Sequence, residues 1–296
     1  MDGVKLRRID KLWKGVVFLL LLVFSLFCLY PVLYVLFASF SDPNLLTAHS
    51  GLLLRPVGFS LKGYEVALSY RNIGTGYMNT LFVVAVGTAV NMFLTTIGAY
   101  ALSRKDIMVN KFVMLMVTFC MFFSGGMIPT FLNVKNLGLL DSLWALILPS
   151  CISVWNLIIL RTGFLGVPDS LEESAKLDGA SDVTILLRIE IPLVKASMAV
   201  VTLYYLVGHW NAWFDAMLYM RTRDKYPLQL ILREILINND MSTMTNMNSV
   251  GTYTNDMYQV LVKYCTIVIA TAPILCLYPF LQRFFIKGVM IGAVKG

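Results

Sequence analysis

The stretch LEESAKLDGASDVTILLRIEIP, Leu171 to Pro192, is a polar, helix-forming segment between two long apolar segments at 143–161 and 195–219. This contrast indicates the class of fold, because the rest of the chain is far more apolar than a soluble domain. Hydrophobic residues make up 58% of the 296 residues and charged residues 14%, against about 45–50% and 25% in soluble domains. The sequence therefore predicts an integral membrane protein in which this segment is a loop outside the bilayer.

Six stretches are long and apolar enough to cross a bilayer, which takes about 20 mostly apolar residues per helix. They lie at 15–38, 77–101, 111–132, 143–161, 195–219 and 260–284. The first could instead be a cleaved signal peptide, but its apolar run continues to Phe40 without a clear small-residue cleavage site. We therefore predict an all-α, polytopic fold in which 1–296 form one transmembrane domain with its core at 77–284.

The distribution of basic residues predicts the orientation of the chain. Most of the 24 Lys and Arg residues fall on the side of the membrane that holds the N-terminus and the polar loop, which is the cytoplasmic side by the positive-inside rule. Both chain termini are then cytoplasmic. The formal net charge of +7 is explained by this bias and gives no reason to expect a nucleic-acid partner.

The polar loop, 166–195, is predicted to form a helix-turn-helix. Ser170 with Glu173 fits an N-cap and its third-position partner, and Gly179 suits a left-handed turn at the end of the first helix. A second helix can run from Ser181 to Ile189 until Pro192 stops it.

The loop also carries apolar side chains that two short helices cannot bury between them: Leu171, Ala175, Leu186, Leu187 and Ile189. A cytoplasmic protein partner would cover this surface. The alternative is an amphipathic connector that rests on the membrane or on neighbouring helices.

Polar residues in the fifth predicted span are candidates for a substrate path, because ionisable groups at membrane depth are costly and usually functional. His209 and Trp213 are four residues apart and share one face of the predicted helix, while Asn211 and Asp215, also four apart, share a roughly opposite one. Aromatic rings beside hydrogen-bonding groups suit a sugar, although the Trp residues could instead form an interfacial belt. The candidates are His209, Trp210, Asn211, Trp213 and Asp215, with Asn79 and Asn91 of the second span, for which helix-to-helix hydrogen bonds are the favoured role.

The sequence lacks the motifs of an energy-converting or catalytic subunit. No GxxxxGK[ST] phosphate-binding loop is present, so this chain is not expected to bind ATP in that way. No HExxH or GxSxG motif indicates an enzyme or a metal site. From the residues alone, a carrier driven by an ion gradient remains an alternative, since His209 and Asp215 could relay protons.

The loop resembles the EAA loop of ABC importer permeases. Its Glu173, Ala175, Asp178, Gly179, Ala180, Ile189 and Pro192 match that pattern, and Ser174 replaces a small Ala. The resemblance implies a coupling helix seated in a groove of a separate ATPase subunit, which would bind ATP and Mg²⁺, with no cofactor in this chain. The residues that it assigns to ATPase coupling are Glu172, Glu173, Ser174, Ala175, Asp178, Gly179, Ala180 and Pro192.

The resemblance extends over most of the chain. NTL at 79–81, AYALSR at 99–104, IPTF and NLGLLDS within 128–142, and GVMIGAVKG at 288–296 are similar to sugar-importer permeases of the MalG type. FFSGGMIPTF and WNAWFDAMLYM are similar to permeases for oligosaccharides from pectin or alginate. This resemblance implies a non-catalytic subunit of a bacterial inner-membrane importer. Its partners would be a second permease chain, two ATPase subunits, an extracytoplasmic binding protein, membrane lipids and an oligosaccharide. A permease for a non-sugar solute would share the loop but would not explain GVMIGAVKG.

Overall fold

A computed structural model describes residues 8–104, 108–237, 260–276 and residue 279. Regular structure in these ranges is helical, apart from one isolated antiparallel β-bridge between Ser41 and Phe59. The predicted all-α fold is therefore confirmed. Apart from residue 279, the end of the sixth predicted span beyond residue 276 lies outside the described residues, as does the C-terminal GVMIGAVKG.

Fourteen α-helices lie within the described ranges 8–104, 108–237 and 260–276. They are α1 Arg8–Ser39, α2 Pro43–Ala48, α3 Lys62–Ser69, α4 Arg71–Ser103, α5 Asn110–Phe122, α6 Met127–Asn136, α7 Val154–Leu165, α8 Asp169–Leu177, α9 Asp182–Ile185, α10 Ile191–Leu193, α11 Lys195–Trp210, α12 Trp213–Tyr219, α13 Leu228–Ile237 and α14 Val260–Cys276. Between these helices lie three short 3-10 turns, at Leu143–Leu146, Leu148–Ser150 and Arg223–Lys225, and one π-helical turn at Leu186–Glu190.

Two described helices are long and apolar enough to cross a membrane unaided, Trp13–Ser39 within α1 and the whole of α4. Three further candidates are pairs of helices joined by sharp bends, which gives up to five spans among the described residues if each pair is one span. The pairs are α5 with α6, the 3-10 segment Leu143–Ser150 with α7, and Asp182–Leu193 with α11. Helix α14 is apolar but shorter.

Three of the predicted spans are not continuous helices, so their prediction as single helices was wrong. In the third, a 112° bend separates α5 from α6, because Gly126 adopts φ +86°, which glycine reaches without strain. In the fourth, a 51° bend precedes α7, where Ser153 caps the new helix by accepting from the Asn156 N–H at 3.4 Å. The fifth is interrupted between Trp210 and Trp213, the end of α11 and the start of α12.

The described chain divides into two compact units. The first comprises Met1–Tyr70 and Ile235–Ala270. In it the Ser39 and Tyr64 hydroxyls lie 2.7 Å apart, and α14 packs so closely on α3 that a Cβ on Gly63 would stand 2.6 Å from Leu261. The most apolar stretch of α1 buries none of its residues, as expected for a helix whose surface meets lipid.

The second unit, Arg71–Glu234 with Thr271–Gly296, is organised around α4, which packs against α7 and α11. The interface uses small and polar side chains, the usual means by which helices associate in membranes. The Thr95 hydroxyl and the Tyr205 hydroxyl lie 2.7 Å apart, and Thr80 accepts from the Leu228 N–H at 2.9 Å. Phe164 and Leu160 of α7 are almost completely buried beside the last turns of α4.

Candidate coupling loop and polar cavity

The first helix of the loop begins earlier than the sequence indicated. Helix α8 starts at Asp169, and Pro168 takes the N-cap position without a side-chain hydrogen bond, so the predicted Ser170 cap was wrong. Pro168 has extended backbone angles that direct the chain into the helix. Asp169 and Glu172 then place carboxylates in the first turn, where they interact favourably with the helix dipole.

The predicted left-handed turn at Gly179 is confirmed, with φ +81°. The Ala180 N–H donates to the Ala175 carbonyl at 2.9 Å and the Gly179 N–H donates to the Lys176 carbonyl at 3.0 Å. This pair of hydrogen bonds is the Schellman arrangement that closes a helix. No atom lies within 4 Å of a Cβ placed on Gly179, so glycine is needed for its backbone conformation and not for space.

The second arm of the loop continues past its predicted end. Ser181 caps it by accepting from the Thr184 N–H at 3.3 Å, and α9 passes through the π-helical turn into α10. Pro192 lies in the first turn of α10, where its missing N–H costs little. It therefore does not stop the helix as predicted, and the chain turns through 85° only after Leu193.

Exposure separates the residues that the EAA resemblance assigns to coupling. Glu173, Ser174, Asp178, Gly179 and Pro192 are exposed, Glu172 and Ala180 are partly buried, and Ala175 is buried. The most exposed apolar side chains of the loop are Leu177 at 89% exposure, Val183 at 65% and Leu187 at 59%. Leu186 is instead buried in the unit. The loop thus presents exposed apolar side chains in both of its arms, here called its apolar face (Leu177, Val183 and Leu187), and the exposed Glu173 in α8.

The sequence prediction missed an ion-pair network that ties the loop to α4. The Arg104 guanidinium forms an ion pair with Glu172 of α8 and a second, at 3.2 Å, with Glu190 of the π-helical turn. Glu172 also pairs with Lys176 at 2.9 Å. Arg104 belongs to the AYALSR run, but its acidic partners are distant in the sequence, so no local pattern reveals them.

A polar cavity of about 380 Å³ lies in the second unit, between α4, α7 and α11. It contains three of the predicted substrate-path residues, Asn91, His209 and Asp215. The remaining lining residues are Leu146, Ser150, Ser153, Trp155, Asn156, Tyr204, Tyr205, Gly208 and Ala212. Trp155 and Tyr204 were not proposed as path residues, because both lie in runs whose apolar character hides which side chains face a cavity.

His209 and Asn91 form the buried polar centre of the cavity wall. His209 is 6% exposed and Asn91 1% exposed, and the Asn91 Nδ2 lies 3.0 Å from the His209 Nε2. With the amide as donor, Nε2 accepts and the neutral imidazole carries its proton on Nδ1. The Asn91 Nδ2 also approaches the Ser150 carbonyl at 3.4 Å. Gly87 allows this arrangement, since a Cβ there would stand 2.7 Å from the His209 Nε2.

The predicted pairing of faces in the fifth span was wrong, because α11 ends at Trp210. The Asn211 side chain donates to the Val207 carbonyl at 3.0 Å and so satisfies part of the helix end. Trp210 is buried edge-on against Tyr77, with ring centroids 5.9 Å apart. Trp213 starts the next helix and lies beneath the Arg233 guanidinium at 4.8 Å.

Polar residues at the other end of α4 fasten a neighbouring loop and do not line the cavity. The Asn79 side chain donates to the Asp224 and Tyr226 carbonyls at 2.8 and 3.1 Å.

Asp141 fastens the same loop from outside α4. With φ +58°, it accepts from the Thr222 N–H at 2.9 Å and from the Lys225 Nζ at 2.9 Å. These hydrogen bonds hold the pKa of the Asp141 carboxyl well below its usual range.

The described residues contain no group of three or more His, Cys, Asp or Glu side chains that could hold a metal ion. What they offer instead is a loop with an exposed apolar face and a cavity lined by aromatic and hydrogen-bonding groups. The first arrangement suits a protein contact, and the second suits a ligand that forms hydrogen bonds and packs against aromatic rings.

Comparison with known proteins adds the family. No family model matches the chain. The chain is 42% identical over 287 residues to the polygalacturonan/rhamnogalacturonan transport system permease protein YtcP of Bacillus subtilis, covering 97% of this chain and 99% of that protein. It is 25% identical to the arabinooligosaccharides transport system permease protein AraQ of the same organism, covering 94% of each.

A solved structure is similar to this chain in both fold and sequence. It is the crystal structure of a bacterial ABC transporter involved in the import of the acidic polysaccharide alginate. The match has a TM-score of 0.87 and 31% identity, and covers 96% of this chain and 100% of the chain compared. With YtcP aligned over almost the full length of both proteins, this chain belongs to the permease subunits of ABC sugar transporters.

Proposed function

We propose that this chain is the transmembrane subunit of an ATP-driven importer of oligosaccharides released from polysaccharides, and that it catalyses no reaction itself. The observation that carries the proposal is the 42% identity to YtcP over 97% of the chain. The alginate importer structure favours the same class of substrate. Because polygalacturonan and alginate are both acidic polysaccharides, acidic fragments are the first substrates to test.

In this proposal the loop seats on a separate ATPase subunit, which binds ATP and Mg²⁺. The exposed Leu177, Val183 and Leu187 would fill an apolar groove, and the exposed Glu173 would make a polar contact at its rim. Such an arrangement, with an apolar centre and a charged edge, is common in protein interfaces. Glu172 has a different role, since its carboxylate points toward Arg104 and Lys176.

The proposed complex lies in the bacterial inner membrane and has several subunits. Six spans, a cytoplasmic loop and cytoplasmic termini agree with the bias of basic residues toward one side. The exposed apolar surface of α1 would meet lipid or a second permease chain. Two ATPase subunits would complete the inner side, and an extracytoplasmic binding protein would deliver the oligosaccharide.

The polar cavity is the proposed place of sugar contact within this chain. Its volume of about 380 Å³ falls in the range of about 300–1,000 Å³ that small-ligand sites occupy. Trp155 and Tyr204 offer aromatic faces for the C–H surface of a sugar ring. Asn156 and Asp215 offer hydrogen-bonding groups for its hydroxyls. The other candidate residues, Trp210, Asn211, Trp213 and Asn79, would support the path and not contact the substrate there.

The proposal is tested with the importer purified as a complex and placed in liposomes together with its binding protein. We expect oligosaccharide uptake only when ATP is supplied on the side of the membrane that carries the ATPase subunits. Uptake should stop when these subunits are inactivated. A panel of neutral oligosaccharides and uronic-acid oligosaccharides of matched length identifies the substrate charge. Uptake driven by a proton gradient in the absence of ATP would overturn the proposal in favour of a secondary carrier.

A further inference from the structure

The guanidinium of Arg104 stands where three segments of the second unit meet. Arg104 follows the last residue of α4, and its side chain is only 14% exposed. Its Nη1 faces Glu172 and its Nη2 lies 3.2 Å from the Glu190 Oε1, while its Nε lies 3.2 Å from the Ser103 hydroxyl. The Tyr100 ring lies beneath it at 4.4 Å. All three guanidinium nitrogens are therefore engaged.

The two carboxylates that meet Arg104 come from opposite arms of the loop. Glu172 belongs to α8, before the Gly179 turn, and Glu190 ends the π-helical turn in the second arm. One side chain at the end of a long helix thus holds both arms at once. A lysine could not do this equally well, because its ammonium lacks the planar fork that binds two carboxylates in fixed directions.

Glu190 depends on this contact more strongly than Glu172 does. Glu190 is 2% exposed, and its Oε2 has no hydrogen-bond partner in the part of the chain that the structure describes. Glu172 has a second cation, Lys176, at 2.9 Å. Removing the arginine would leave the Glu190 charge buried and uncompensated, which is strongly unfavourable. The π-helical turn brings Glu190 to this position, and such turns are frequent at functional sites.

We propose that Arg104 is a positioning residue that transmits displacement of the loop to α4 in both directions. This inference rests on the proposed function, in which an ATPase moves the loop. Apolar packing also opposes separation but has no fixed direction, whereas the ion pairs and hydrogen bonds of Arg104 add a directional attraction between fixed groups on the loop and at the end of α4. Helix α4 carries Gly87 and Asn91 beside His209, so a pull on its end reaches the wall of the polar cavity.

The test uses the complete importer in liposomes and measures oligosaccharide molecules transported per ATP hydrolysed, together with the melting temperature of the complex. For Arg104→Gln we expect the transport-to-hydrolysis ratio to fall about tenfold, a usual size for a change in coupling between sites. The melting temperature falls as well, because Glu190 loses its partner. For Arg104→Lys we expect a transport-to-hydrolysis ratio between those of the wild type and Arg104→Gln, because lysine keeps the charge but lacks the planar fork. The matched control is Arg161→Gln, since the Arg161 Nε donates to the Leu102 carbonyl at 2.8 Å and not to a carboxylate; its ratio stays near that of the wild type.

The double variant Arg104→Gln/Glu190→Gln separates positioning from simple stabilisation. It leaves no unpaired buried charge at Glu190, so we expect its melting temperature to recover while its transport ratio stays low. Recovery of both quantities would overturn the inference, as would a normal ratio in Arg104→Gln. Failure of the proposed function looks different, because the wild-type complex itself would then show no ATP-dependent uptake.

Discussion

Gly87 is the residue whose replacement tests the cavity most directly. A Cβ at this position would stand 2.7 Å from the His209 Nε2 and 2.9 Å from its Cε1. In Gly87→Ala the imidazole must move and its contact with Asn91 is broken. We expect reduced oligosaccharide uptake by a complex that still assembles, with a loss of about 1–3 kcal/mol in unfolding free energy, typical of overpacking. Uptake in liposomes and thermal unfolding measure the two effects.

Gly74 in the same helix provides the control. No atom lies within 4 Å of a Cβ placed there, and alanine favours a helix over glycine by about 1 kcal/mol. Gly74→Ala should therefore transport normally and be as stable as the wild type or slightly more so. Equal behaviour of the two alanine variants would mean that the His209 position is irrelevant to transport.

For single residues, the sequence predicts which side chains are functional better than it predicts which contacts they make. His209 could be identified because an ionisable group within an apolar run needs a reason to be there. Its contact with Asn91 could not, because the two residues lie 118 positions apart. The same holds for Arg104 and Glu190, which are separated by 86 positions. Each of these pairs exists only because α4 packs beside the segments that carry the partners.

At the scale of elements, Gly179 controls the angle between the two arms of the loop. Its φ of +81° costs most L-residues roughly 1–2 kcal/mol, whereas Asn tolerates this region. Space is not limiting, since no neighbour would meet the new Cβ. We expect Gly179→Val to lose most of its uptake while remaining in the membrane, and Gly179→Asn to keep most of it. Uptake assays with quantified membrane levels decide; equal loss in both would point to a direct contact of the glycine with a partner.

The same elements explain which boundaries were predictable. The helix-turn-helix in the loop was predicted because a glycine between two short helical segments indicates, from neighbouring residues alone, where the first helix ends. The breaks in the third and fifth spans were missed, because average hydropathy over about 20 residues does not detect where backbone angles change. Gly126, with φ +86°, stands at the N-cap of α6, and Asn211, whose side chain bonds the Val207 carbonyl, follows the last residue of α11. Both residues lie inside spans that were predicted from hydropathy.

For the whole molecule, the second unit connects the two candidate sites through one helix. The end of α4 is held to both arms of the loop by Arg104. Farther along the same helix, Asn91 and Gly87 contact His209 in the cavity wall. A rigid helix with a partner at each site is a physical route by which loop movement can change the cavity. This route requires the loop to face the cytoplasm, where ATP is available.

The orientation can be measured by cysteine labelling in a background without the five native cysteines. Leu177→Cys and Leu52→Cys form a matched pair, since the two leucines are 89% and 71% exposed. The predicted topology places Leu52 outside, between the first two spans, and Leu177 inside. In right-side-out membrane vesicles, we therefore expect a membrane-impermeant maleimide to label Leu52→Cys at once and Leu177→Cys only after permeabilisation. Coexpressed ATPase subunits should then slow the labelling of Leu177→Cys, because its apolar face would be covered. Labelling of Leu177→Cys from outside in sealed vesicles would reverse the orientation and remove the loop from the reach of any cytoplasmic ATPase.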